Sequence, residues 1–246
     1  MRLRFRFRPI PLIATVVLVA LGIALGNWQE RRAAAKTALR DQIVRRSAEP
    51  PVDLGPAPAS LASLEFRRVR VTGQFVTSWP IFLDNRPYQG RSGFYLLMPF
   101  KIAGSSNHVL VARGWLPVDP TKHYRIPAVS TPAGQVTIEG VVTGTMGHVM
   151  QLGSAERLRP AAIVQNVDPG NVMFAAGLAM QPFFVEQTGP AEPGDKLVRD
   201  WPQPSTGIET HKGYALQWYA LAAMAFLFYV ITGFRSGSKP DDAGPR

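Results

Sequence analysis

Two apolar runs of bilayer length stand near opposite ends of this chain, Ile10 to Trp28 and Tyr214 to Phe234. A helix rises about 1.5 Å per residue, so roughly twenty residues cross a hydrocarbon core of about 30 Å, and both runs meet that length. Only Thr15, Asn27, Gln217 and Thr232 interrupt them with polar side chains. The reading is a membrane protein of α+β class, in which two transmembrane helices flank a mainly antiparallel β extracytoplasmic domain.

An even number of spans returns the chain to its starting side, and charge identifies that side. The first tail carries Arg2, Arg4, Arg6 and Arg8 with no acidic residue, and the last carries Arg235, Lys239 and Arg246 against Asp241 and Asp242. Basic residues are retained in the cytoplasm, which places both termini there and the central domain outside, on the far side of the membrane. Arg31, Arg32 and Lys36 pull the other way, directly after the first run, and the basic flank of the second run breaks the tie. The first run is longer than a signal-peptide core and lacks a nearby small-x-small site, so an uncleaved anchor is expected.

Composition removes several function classes. The net charge is +10, of which +8 lies in residues 1–46, where it would set topology or meet anionic membrane lipid, not nucleic acid. The chain has no cysteine, which excludes disulfides, thiolate metal sites and iron–sulfur clusters. Phosphate-cradling loops, dinucleotide fingerprints, nucleophile elbows and H-E-x-x-H are all missing, so the chain is not read as an enzyme and no catalytic residue is nominated.

Along the chain the expected organisation is a cytoplasmic tail at 1–9, a span at 10–28, a juxtamembrane helix at 29–47 and a Pro-rich linker at 48–62. The mainly β domain follows at 63–213, then the second span at 214–234 and a cytoplasmic tail at 235–246. Residues 29–47 lack Gly and Pro, which continues the helix, and Trp28 falls at the water boundary. Pro50, Pro51, Pro56 and Pro58 mark the first linker, and Pro190, Pro193, Pro202 and Pro204 a second. Strands are predicted at Arg68–Phe75, Ile81–Leu83, Phe94–Met98, His108–Trp115, Val136–Thr143 and Phe183–Glu186, separated by polar and turn-forming breakers such as Pro117 to Pro120. Asp168 as cap and Pro169 at the first helical position predict one helix, with Val172, Ala176 and Ala179 on a common face.

Of four histidines, His108, His123, His148 and His211, none has a metal-pair spacing with another. Met146, His148 and Met150 set two thioethers about an imidazole, donors that suit Cu(I), although methionine as a gap filler explains them more simply. His211 lies at the outer end of the second span with Ala215, Trp218 and Ala222 on its helical stripe, an arrangement open either to a metal-bearing flat ligand or to a plain interfacial histidine. Gln217 inside the span needs a polar partner.

Three separated segments carry a resemblance. Leu25-Gly26-Asn27-Trp28-Gln29-Glu30-Arg31-Arg32 with Lys36, then Val109-Leu110-Val111-Ala112-Arg113-Gly114-Trp115-Leu116-Pro117, then His211-Lys212-Gly213-Tyr214-Ala215-Leu216-Gln217-Trp218-Tyr219 are similar, in this order, to signatures of the surfeit-one family of cytochrome c oxidase assembly factors. The resemblance implies a non-enzymatic membrane factor that binds haem a transiently and assists its delivery to cytochrome oxidase subunit I, downstream of a haem a synthase. It implies His211 as the iron ligand, with Trp218, Trp28 and Gln29 lining the site and Arg113 either facing a propionate or packing on Trp115. Glu209 and Thr210 depart from the asparagines common in the family, and residues 162–168 lack its Trp before an acidic residue. A haem-free scaffold, a copper-handling factor, a quinol-oxidase branch and a homo-oligomer remain open alternatives.

Overall fold

The structure is a computed structural model that describes residues 3–5, 7–119, 121, 129–150, 157–189, 194–202 and 207–236. Arg2, Arg6, Pro120, His123, Pro190, Pro193, Pro204, Lys239, Asp241, Asp242 and Arg246 lie outside the described residues. In chain order the elements are β1 (Leu3–Phe5), α1 (Pro9–Ala48), β2 (Val52–Asp53), α2 (Leu61–Leu64), β3 (Arg68–Phe75), β4 (Ile81–Leu83), β5 (Gly93–Ile102) and β6 (His108–Pro117). They continue with β7 (Val136–Thr143), β8 (Ala162–Val164), α3 (Pro169–Ala176), β9 (Met180–Gln187), α4 (Ile208–Gly233) and β10 (Phe234–Ser236). Two compact units result, one from residues 1–41 with 204–246, the other from 42–203.

The first unit is a helix pair. α1 runs without a break from the first apolar run into the juxtamembrane segment, as its Gly- and Pro-free sequence after Trp28 predicts; its 40 residues span about 60 Å. Both helices are long and apolar enough to cross a membrane. Thr15 donates to the Pro11 carbonyl and Thr232 to that of Phe228, so these hydroxyls are satisfied within their own helices. α4 starts at Ile208, six residues before the apolar run, which brings His211 into its first turns. β1 pairs antiparallel with β10, Leu3 against Ser236 and Phe5 against Phe234, so the two tails meet at one end of the pair.

The second unit is a barrel. β3, β7, β9, β6 and β5 pair in sequence around a ring, and β3 returns to β5 through Gly73–Ile102, Gln74–Lys101 and Phe75–Phe100, which closes it. All ring pairings are antiparallel except β6 with β9. β3 alternates buried and exposed residues as its sequence predicts. β5 and β6 are buried on nearly every residue because they serve two cores. Val71, Phe75, Phe100, Val111, Phe183 and Val185 pack in one, and Leu97, Leu110, Ala112, Trp115 and Phe184 in the other, which α3 and β8 help to cover. This double burial lengthens both strands beyond Phe94–Met98 and His108–Trp115.

Asp168 caps α3, accepting from the Asn171 amide at 2.8 Å, with Pro169 in the first turn. Gly177, at φ 66°, ends the helix, so Ala179 lies beyond it and not on its face. In their described residues the two Pro-rich stretches are packed segments, not open linkers. Leu54 is buried, β2 pairs with β3, and the Gln181 amide bridges Ala57 and Ala59 at 2.9 Å each. Val198 bridges to Trp115, and Trp201 donates to the Gln187 carbonyl while standing edge-on to Tyr95. Proline removes a donor and sets φ; it leaves flanking side chains free to dock.

Candidate cofactor site at the helix pair

The residues of α1 buried in the pair are Gly22, Gly26, Gln29 and Ala33, and those of α4 include Ile208, Ala215 and Ala222. Steps of four and three on one helix and of seven on the other trace a seam of coiled-coil period. Small residues are required there. A Cβ on Gly22 would lie 2.9 Å from the Ala222 Cβ, and one on Gly26 only 2.3 Å from the Tyr219 ring. In lipid, such close backbone approach substitutes for the hydrophobic drive that water would supply.

The antiparallel register carries two polar pairs. Tyr219 donates its hydroxyl to Asn27 Oδ1 at 2.8 Å. Nearer the start of α4, His211 Nδ1 lies 2.7 Å from Gln29 Oε1. Gln29 is 9 % exposed and His211 is half-buried, so this contact lies at the edge of the seam with the ring partly open. The His211 amide bonds the Gly207 carbonyl at 3.3 Å, holding the residue in the first full turn. Trp218, seven residues and about 10 Å further along the helix, lines an apolar groove of about 670 Å³ with Leu18, Leu21, Leu221 and Phe228.

The remaining predicted residues are placed elsewhere. Trp28 is 46 % exposed with the Arg32 guanidinium 5.8 Å above its ring, so it does not share the seam with Gln29. Gln217 is exposed, and its side chain makes no hydrogen bond among the described residues. Arg113 belongs to the barrel unit, where β6 carries a bulge: Leu96 pairs with Gly114 and Leu97 with Ala112, leaving Arg113 as the extra residue. The bulge aims its guanidinium at the Phe75 ring, 4.7 Å away, and at Thr131 Oγ1 and the Ser130 carbonyl, 2.7 and 3.0 Å away. It packs on Phe75, not on Trp115, and is 2 % exposed. Trp115 instead donates to the Arg86 carbonyl at 2.7 Å, and Gly114, at φ 151°, lies where a Cβ would be 2.8 Å from that of Leu197.

The soft donors do not converge. Met146 is buried in the apolar cluster of the barrel unit, whereas His148 is exposed and Met150 is 83 % exposed. Among the described residues no group of three His, Asp or Glu side chains could hold a metal ion. A feature the sequence reading missed is Glu186 on β9, whose carboxyl burial pushes up to about 7; burial also raises the nearby Tyr95 phenol. The helix seam was missed as well, although Gly22-x-x-x-Gly26 inside an apolar run is a recognisable signal for it.

The fold and site define a two-span membrane protein with a small β-barrel domain and a histidine fixed by a glutamine across its helix pair. The chain belongs to the SURF1 family, whose model matches residues 16–223. A "SURF1-like protein" of Monosiga brevicollis is 24 % identical over 244 residues, covering 92 % of this chain and 88 % of its own. A "SURF1-like protein" of Rickettsia felis is 26 % identical over 228 residues, 89 % and 95 % of the two chains. The "Cytochrome oxidase assembly protein SHY1" of Saccharomyces cerevisiae is 32 % identical over 94 residues, which is 37 % of this chain and 24 % of the yeast protein. The resemblance drawn from the three segments is thereby borne out.

Proposed function

We propose that this protein assists the assembly of a haem–copper oxidase by holding haem a as cargo at His211 until the oxidase takes it. The observation that carries this reading is the His211–Gln29 pair beside a helix pair whose groove is apolar and includes Trp218. A half-open imidazole held by a partner is the donor type that ligates haem iron, and an apolar groove suits a prenylated macrocycle. Arg32, Lys36 and Lys212 on the same helices supply cations for propionates. The name of the yeast relative supports the assembly role.

In this reading the inner membrane is the site of action, both tails are cytoplasmic, and the barrel is periplasmic. Haem a synthase supplies the cargo and oxidase subunit I receives it. A single protein ligand fits that task, because a receiving subunit must replace it. Arg113 has no part in it, since its guanidinium is engaged inside the barrel. The copper reading loses its geometry with Met146 buried.

The test is the optical and pyridine-haemochrome spectrum of full-length protein from cells that make haem a, wild type beside His211→Ala. The expected result is a haem a signal in the wild type and none in the variant. Signal in both would remove His211 as ligand; signal in neither would move the function to a haem-free scaffold.

A further inference from the structure

We infer that Gln29 is a positioning residue that fixes the His211 tautomer, holding the ring proton on Nδ1 so that Nε2 is the nitrogen offered to a ligand. The inference rests on the haem-custody reading for its purpose and on the geometry of the pair for its substance.

A neutral imidazole has one donor nitrogen and one acceptor nitrogen, and whichever hydrogen bond one of them makes assigns the other. Here the amide oxygen of Gln29, an obligate acceptor, faces Nδ1 at 2.7 Å. Nδ1 must then carry the proton, and the Nε2 lone pair points away from α1. Gln29 is well placed to enforce this. It is nearly fully buried, it stands on a different helix from His211, and its position follows from Gly26 one turn earlier, where no Cβ could be accommodated without displacing Tyr219. The tautomer is therefore a consequence of helix pairing: separating the helices would remove the acceptor.

Second partners of ligating histidines act in this manner. They orient the ring, select the nitrogen and raise its basicity, and their loss costs about 10- to 100-fold in affinity. An amide oxygen is a neutral acceptor, so it directs the ring without the added basicity a carboxylate would confer. A cargo site benefits from that restraint, since the nitrogen is presented in one direction but released without breaking a strongly polarised pair.

The experiment uses ¹⁵N-histidine-labelled full-length protein in lipid nanodiscs, with His211 assigned by its absence in His211→Ala. Long-range ¹H–¹⁵N correlations on the neutral ring read the tautomer directly, before any haem is added. The wild type is expected to show the proton on Nδ1. Gln29→Leu, which keeps the volume and removes the acceptor, is expected to shift the ring towards Nε2–H and to weaken haem a retention about 10- to 100-fold. Gln29→Glu, which restores an acceptor, is expected to keep Nδ1–H and to retain haem. A wild-type proton on Nε2, an unchanged tautomer in Gln29→Leu, or loss of Nδ1–H in Gln29→Glu would each overturn the inference. The two readings fail separately. Nδ1–H without haem binding would sink custody and leave the positioning role, whereas haem on His211 with a tautomer indifferent to residue 29 would do the reverse.

Discussion

Phe100 in the barrel and Gly26 in the helix pair are both at crowded places, and they are crowded for opposite reasons. Phe100 is fully buried with its ring 4.8 Å from that of Phe75, part of a core in which large side chains fill the interior. At Gly26 the crowding comes from the absence of a side chain, since one added Cβ would collide with Tyr219. Removing atoms is the injury to the barrel, and adding them is the injury to the helix pair. The difference follows from the solvent. A domain in water is stabilised by apolar area withdrawn from it, while helices in lipid gain little from apolarity and rely on close approach and hydrogen bonds. The candidate site lies in the unit held by the weaker forces, where exchange of a cargo need not disturb a core.

This contrast can be broken by measurement. The largest expected effect is in the barrel: Phe100→Ala should cost about 3–5 kcal/mol in urea unfolding of the detergent-solubilised protein, with the helical circular dichroism of the pair persisting after the barrel signal is lost. A single transition shared by both signals would show the two units to be coupled.

Next is a pH dependence confined to the barrel. The Glu186 carboxyl is held at about 7 in the fold against an ordinary value of 4.5. The folded state thus keeps a proton that the unfolded chain has released, so the contribution of this group to stability is fully present below about pH 4.5 and is lost as pH rises through 7. The loss is on the order of 3 kcal/mol. Glu186→Gln should flatten this slope and make the barrel more stable than wild type at pH 8; an unchanged slope would show that the carboxyl reaches water.

Crowding at the seam can be tested through cross-linking, because the native chain has no cysteine and hence no background. Cysteines at 29 and 211, where the native side chains meet at 2.7 Å across the pair, should be joined by a short bifunctional thiol reagent, and adding Gly26→Leu should reduce the yield several-fold. Equal yields with and without the leucine would refute a register set by Gly26. The smallest effect belongs to Tyr219→Phe, which removes one interhelical hydrogen bond and should cost about 0.6 kcal/mol of helix association in a double-mutant cycle with Asn27→Ala.

The strands were legible where one face is wet. Arg68 to Phe75 and Val136 to Thr143 appear with the bounds their alternation predicts, since period two is written directly in the residues. β5 and β6 were read too short because a strand buried on both faces has no alternation, and β2 and β8, two and three residues long, went unread. The Pro-rich stretches were taken for linkers because proline content reports backbone restriction and says nothing about docking by Leu54, Val198 or Trp201. At the site, His211 and Trp218 were marked by their common stripe on one helix. The role of Gln29 was not, since its partner is 182 residues away.

What this sequence determined by itself is whatever repeats along a single element: two runs long enough to cross a bilayer, the uninterrupted helix after Trp28, the wet-faced strands, and the Asp168–Pro169 helix start. These are local consequences of hydrophobic period, capping and backbone freedom. Only the tertiary structure decided closure of the ring through β3 and β5, the bulge that turns Arg113 onto Phe75, the burial of Met146 away from Met150, and the bond between Gln29 and His211. Each of these joins residues far apart in the chain, and the energy that selects them arises from packing between elements that no single segment contains.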